Sequence, residues 1–481
     1  MGSDDITDDD SPDDQQSLTD DSAPQHDDEQ ARPDGGEGTP YRTREAYPNN
    51  RLYRWLDERL ALDHTILGKA FPEDRYGSFL LGEIALFTFV ILALSGTFLG
   101  MLYSPAAAKT TYDGLLTSYV GQQVPGAFAS VLHITYDTPG GMFVRMLHHW
   151  AAYIFIAAIA LHMFRVFFSG AYRNPHEPNW FIGSTLLLLA LVEGFFGYAL
   201  PFDNFSKTAT TIGYQMTGTV PVLGSYLQSL VFGGAFPADA ADVLPRMFFM
   251  HVFLIPAAIA GIIALHMAVL LRQKHTEHAP SSRDGEDRPD ADDDSQVVGM
   301  PLFPQQALVS TVVFLLTAAV VSFLAAFFPV QRIAIIGPAT PTSTPAHVGP
   351  DWFFMWVYGS LKMMPGWLGD WGRFVGGVVV PTLIIGAMMA WPLVDNPEEP
   401  VHFTADPLDR PVQTALGVAA IMLIVVLSID GMRGTVQSVL GVPEALLYPG
   451  LVALTVGVPL LYFGVVYLLL SRRRSRTTAG G

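Results

Sequence analysis

The chain has 481 residues and no cysteine, which excludes a disulfide, a thiolate-held iron–sulfur cluster, a Cys-containing zinc site and a thioether-linked haem. Its net charge of -18 excludes less than it promises, because residues 1–40 carry 14 acids and one Arg, residues 281–296 carry seven acids and two Arg, and the rest balances at 24 of each sign. In a chain that is 50% hydrophobic with 31 Phe, a neutral body of this kind points to a polytopic membrane protein with charged solvent segments.

Residues 1–45 form an acidic tail with too little apolar surface to offset ordering entropy, so disorder is expected there. The opening residues are acidic and no apolar run follows a basic one, so no signal peptide is expected. The segment RLYRWLDERLAL (51–62) sets Leu52, Trp55, Leu60 and Leu62 among alternating charges, the pattern of a short interfacial helix. Eight apolar runs then follow near 79–103, 142–168, 181–200, 247–272, 306–329, 374–395, 412–430 and 447–470. Each is long enough for about 30 Å of hydrocarbon, which takes about 20 helical residues.

An all-α protein of eight transmembrane helices is therefore expected, divided four and four by an acidic linker at 276–300. An even number of spans puts both termini on one side. Arg165, Arg173, Arg272, Lys274, Arg472, Arg473, Arg474 and Arg476 follow the second, fourth and eighth spans, and the positive-inside rule makes that side cytoplasmic. Two outer loops, 201–246 and 330–373, are too long for simple connectors and are expected to be functional.

Four histidines lie within the expected spans at matched depths. His148 and His162 are 14 residues apart in span two, and His251 and His266 are 15 apart in span four. Those separations rise about 21 and 22 Å and return each pair roughly to one helix face. Two such helices facing each other supply two bis-imidazole sites stacked across a bilayer, and imidazole is an axial ligand of haem iron. Gly82 and Gly96 in span one, and Gly183 and Gly197 in span three, repeat the same interval of 14, as close backbone approach at those two heights requires. Glycine also serves plain helix packing in membranes. A proton-relay transporter would use intramembrane histidines too, but it gives no reason for glycines in the same register. Arg145 and Arg165 lie one turn outside His148 and His162, where they can meet anionic groups of a cofactor or snorkel to the interface.

The motifs RMLHHW (145–150), LHMFRVFFSGAYRNP (161–175), GYALPF (197–202), RMFFMH (246–251) and PDWF (350–353) resemble the cytochrome b family of quinol–cytochrome c and quinol–plastocyanin oxidoreductases, from about residue 46 onward. The 15-residue histidine spacing, WLDERL (55–60) and TVPVLGS (219–225) are closer to the b6 branch, although this chain is continuous where that branch is split in two. The resemblance implies a di-haem domain over 46–275 and a C-terminal domain over 301–481. It implies two haems b, the outer on His148 and His251 and the inner on His162 and His266, with Gly82, Gly96, Gly183 and Gly197 against them and Arg145, Arg165 and Arg246 near their propionates.

It further implies a quinol pocket between Pro201, Phe202 and the PDWF residues Pro350, Trp352 and Phe353, with Asp351 as the catalytic base. The family pattern is PEWY, so Asp351 is one methylene shorter and Phe353 lacks a hydroxyl. Asp63, Arg272 and Lys274 stand where an inner quinone site would lie, and equally where interfacial charges would. The implied partners are a Rieske iron–sulfur protein, a c-type cytochrome or copper protein, membrane lipid and a second copy of the chain, with no nucleic acid. A related di-haem cytochrome feeding another outer-facing terminal reductase is the alternative within the same chemistry.

Overall fold

The computed structural model describes residues 70–71, 80–273, 300–301, 306–340, 349–398, 403–404 and 406–479. The acidic tail, the surface helix expected over 51–62, the linker up to residue 299, Asp63, Lys274 and the side chain of Arg272 lie outside the described residues.

The fold is all-α, with eight helices long and apolar enough to cross a bilayer: Leu80–Leu102, Gly141–Ser169, Glu177–Ala199, Ala240–Leu271, Ala307–Phe327, Gly366–Leu393, Pro411–Gly431 and Glu444–Ser475. Spans four and six begin seven or eight residues earlier than hydropathy places them. Asp242 and Arg246, or Asp370 and Arg373, depress the apolar average there while the helical hydrogen bonds continue. Two antiparallel ribbons, Ala70–Phe71 with Met300–Pro301 and Lys109–Thr111 with Gln123–Pro125, are the strands among the described residues.

Span one packs on span two and span three on span four; span two also meets span three, and span five closes against spans one and two. Spans two and four face each other across a cavity of about 310 Å³. Span six leans on span three and span seven on span eight, so the second set of four is fastened to the first along one side.

Span four is not a regular α-helix. Met250–Leu254 is a π-turn in which Ile255 N–H bonds to the carbonyl of Met250, and Pro256 follows with no N–H to offer. A π-turn accommodates one extra residue. The 15-residue interval between His251 and His266 is thereby brought back into register with the 14-residue interval in span two.

The connections are grouped by face. The loop face carries 201–239, 328–340 and 349–365; the linker face carries the ends of the spans nearest residues 273 and 306. On the loop face, Asp203 caps the helix Asn204–Gly218 by accepting from Ser206 N–H at 2.7 Å, and Ser206 returns the bond to Asp203 N–H. Asn204 ties the two long loops together, donating to Ile336 O at 3.2 Å and accepting from Thr340 N–H at 3.1 Å. The 3₁₀ turn Trp352–Phe354 and the helix Met355–Lys362 then carry the PDWF segment inward.

On the linker face, Arg410 is buried and paired with Asp395. Arg410 also donates to Tyr172 Oη at 2.6 Å, as does Trp391 at 2.7 Å. This network ties the connection after span two to the connection between spans six and seven.

Candidate functional site

The cavity between spans two and four is lined by His148 and His251 with Gly96 and Gly197 beside them and Arg145 and Pro201 toward the loop face. Its volume falls within the roughly 300–1,000 Å³ typical of cofactor sites. The two imidazoles lie 6.1 Å apart between ring centroids and at 83° to each other. That separation is near the roughly 6 Å needed for one first-row metal ion held about 2.0–2.1 Å from a nitrogen of each ring.

Both rings have their Nδ1 atoms committed to the protein. His148 Nδ1 lies 3.0 Å from Ser95 Oγ, whose own proton goes to Ile91 O at 2.6 Å, so the serine accepts from the imidazole. His251 Nδ1 lies 2.8 Å from Glu193 Oε1 and 3.3 Å from Glu193 O. Each ring is thereby held as the tautomer that keeps the Nε2 lone pair for a ligand bond.

The four glycines stand opposite the four histidines, one to one. A Cβ at Gly82 would lie 3.4 Å from His162 Cε1, at Gly96 3.1 Å from His148 Cε1, at Gly183 3.5 Å from His266 Cε1 and at Gly197 2.6 Å from His251 Cε1. Each glycine therefore backs an imidazole from the neighbouring helix, where a side chain would crowd the ring. Contact is tightest at Gly197. A Gly197→Val substitution is accordingly expected to push His251 off its position.

Arg145 lies on the cavity wall with both Nη atoms 3.4 Å from Gln331 O and a buried Nε that has no hydrogen-bond partner. A buried guanidinium held this loosely fits an anionic group entering the cavity. Arg165, toward the other end, stacks over the ring of Phe403 at 5.0 Å. Arg246 is exposed and donates to the carbonyls of Ser229 and Leu230 at 2.8 and 3.2 Å, so it caps the last turn of the helix Gly224–Val231.

Asp351 sits behind His149 and Tyr153 of span two. Its Oδ1 accepts from Tyr153 Oη at 2.7 Å, and its Oδ2 lies 4.0 Å from His149 Nε2. Burial pushes its carboxyl up to about 6, with the Tyr153 hydrogen bond opposing the rise. Phe353 is buried against Tyr153 and would contact a side chain at Gly194. Phe202 is buried beside Phe236 with φ of 49°, a left-handed turn that reverses the chain after span three. Trp352 is 47% exposed and, like Phe353 and Phe202, is not among the residues lining the cavity.

Glu193, Ser95 and Tyr153 join the site without being singled out in the sequence. Glu193 carried a usable signal, as an acid inside an apolar run. Tyr153 carried none, because its partner is 198 residues away in sequence.

A family model described as cytochrome b(N-terminal)/b6/petB matches residues 153–336, and one described as cytochrome b(C-terminal)/b6/petD matches 338–441. The cytochrome bc1 complex cytochrome b subunit of Corynebacterium diphtheriae is 33% identical over 423 residues, covering 85% of this chain and 75% of that protein. The subunit of the same name from Streptomyces coelicolor is 35% identical over 406 residues, covering 82% and 72%. That from Mycobacterium tuberculosis is 34% identical over 413 residues, again covering 82% and 72%. A chain of a solved hyperthermophilic respiratory Complex III shares the fold, with a TM-score of 0.63 at 20% identity over 88% of this chain and 99% of that one. With paired imidazoles backed by glycine in two spans of an eight-helix chain, and with relatives at this identity over most of their length, the chain belongs to the cytochrome b family.

Proposed function

We propose that the chain is the cytochrome b subunit of a respiratory quinol oxidoreductase of the bc1 type, oxidising quinol at its outer, loop face and reducing quinone at its inner, linker face, with protons released outside and taken up inside. The relatives are named as cytochrome b subunits of cytochrome bc1 complexes. The observation that carries the reading is the one-to-one facing of four glycines and four imidazoles at two depths.

Residues 46–275 form the haem-binding domain and 301–481 the domain that supplies the PDWF segment, with 1–45 and 276–300 on the cytoplasmic side. His148 and His251 hold the outer haem b; His162 and His266 hold the inner one. Bound there, the haems supply one-electron carriers between the two membrane faces. Arg145 meets a propionate. Quinol gives up two electrons and two protons: one electron leaves to a Rieske iron–sulfur protein and from it to a c-type cytochrome or copper protein, the other crosses to quinone at the linker face, and the first proton is released at the loop face. Asp351 takes the second proton at Oδ2, while Tyr153 holds Oδ1. Phe353, Pro201, Phe202 and Pro350 keep the ring's surroundings apolar. Asp63, Arg272 and Lys274 serve the inner quinone site, and the complex is a homodimer.

The test is optical. The purified complex is expected to contain two b-type haems per chain in a reduced-minus-oxidised spectrum, both reducible by quinol. One haem or none in intact complex would overturn the reading, and none would return the histidines to a proton relay.

A further inference from the structure

We infer that Glu193 lowers the reduction potential of the loop-face haem through the Nδ1 of His251. The inference rests on the assignment of His148 and His251 as axial ligands and adds to it a positioning residue.

Glu193 stands four residues before Gly197 in span three, on the same helix face. Gly197 admits the imidazole and Glu193 holds it, with Oε1 2.8 Å from His251 Nδ1. Its second oxygen, Oε2, is buried with no hydrogen-bond partner, and its ion-pair partner among the described residues is His251 alone. A carboxylate kept at membrane depth with half its acceptor capacity unused is costly. Its one strong interaction is with this ring.

The linker-face pair offers the comparison inside the same molecule. Gly183 backs His266 as Gly197 backs His251, and the residue four before Gly183 is Asn179, 14 residues from Glu193. The backbone carbonyl of Asn179 faces His266 as that of Glu193 faces His251. Register is thus repeated, but the partner is not: Glu193 Oε1 holds His251 Nδ1, whereas His266 Nδ1 and Asn179 Oδ1 are both buried without a hydrogen-bond partner. Glu83, the acid next to Gly82, is turned the other way, its Oε1 accepting from Gln306 and Ser310 of the span-five end at 2.8 Å each. At the loop face, His148 meets only the neutral hydroxyl of Ser95.

A carboxylate accepting Nδ1–H makes the imidazole a stronger donor to a bound metal than a hydroxyl acceptor or an unpartnered Nδ1–H does. Stronger donation favours ferric over ferrous iron, which lowers the potential.

The experiment is a redox titration of the b-type absorbance in purified complex. In Glu193→Gln one of the two midpoints is expected to rise by at least about 59 mV, a tenfold change in the reduced-to-oxidised ratio of a one-electron couple. The other midpoint is expected to stay in place. Two retained haems with both midpoints unchanged would overturn the inference. If Glu193→Gln loses its haem, Asn179→Glu decides: the added carboxyl is expected to lower one midpoint, and a retained haem with no downward shift refutes the role. A wild-type complex without a haem at the loop-face pair would fail the ligand assignment instead, and the spectrum before titration separates the two cases.

Discussion

If the proposed two-haem arrangement holds, replacing His251 with Leu is expected to remove one b-type haem, leave the other's midpoint in place, and bring quinol oxidation to background. The size of the effect follows from geometry. His251 and His148 are the two rings that face each other across the loop-face cavity at 6.1 Å; His149 also lines that cavity, but its ring packs on Tyr153 and faces Asp351. The remaining pair lies about 21–22 Å farther along the helices, backed by its own glycines, Gly82 and Gly183. Leu preserves apolar volume in the span, so the helix has no reason to lose its place.

His149 supplies the control. It adjoins His148 in sequence, yet its ring stacks edge-on against Tyr153 at 4.6 Å and its Nε2 faces Asp351. A His149→Ala complex is therefore expected to keep both haems. Loss of the linker-face haem in the His251 variant, with the loop-face haem retained, would refute the pairing.

Much of this site was legible because helical periodicity converts spacing into direction. Intervals of 14 residues in spans one, two and three put glycines and histidines at common heights before any coordinates are consulted. The 15-residue interval in span four reads as a drift of one helix position until the π-turn at Met250–Leu254 absorbs the extra residue. Pro256 was the visible trace of that irregularity, but a proline alone does not say whether a helix kinks, breaks or bulges.

Contacts between distant segments were not legible. Nothing in PDWF says that Tyr153 will reach Asp351, because that bond depends on how the second loop folds back over span two. Nothing in RMFFMH says that Arg246 will turn to the carbonyls of Ser229 and Leu230. Backbone register propagates along a helix, whereas the reach of a long side chain is decided by whichever loop packs beside it.

Asp351→Asn is expected to slow quinol oxidation by about 10²–10⁴-fold, the usual worth of a positioned general base, while both haems remain. Asn keeps the shape and can still accept from Tyr153, so a fall in turnover with little change in KM would isolate proton removal from pocket collapse. The groups facing Asp351 are Tyr153 and His149 from span two and Tyr198 from span three. Its carboxyl sits at about 6 because burial outweighs the Tyr153 hydrogen bond.

A base works deprotonated, so wild-type quinol oxidation is expected to fall as pH drops through about 6. Tyr153→Phe removes the bond that holds the carboxyl down, so that acidic limb moves to higher pH while the rate on the alkaline side changes less. A limb that moves downward, or an Asp351→Asn complex with near-wild-type turnover, would show that the proton leaves by another group. The shorter Asp places its carboxylate against Tyr153 in a way that the phenyl of Phe353 leaves open. Tyr153 thus supplies, from another helix, a phenol beside the base in a segment that has none of its own.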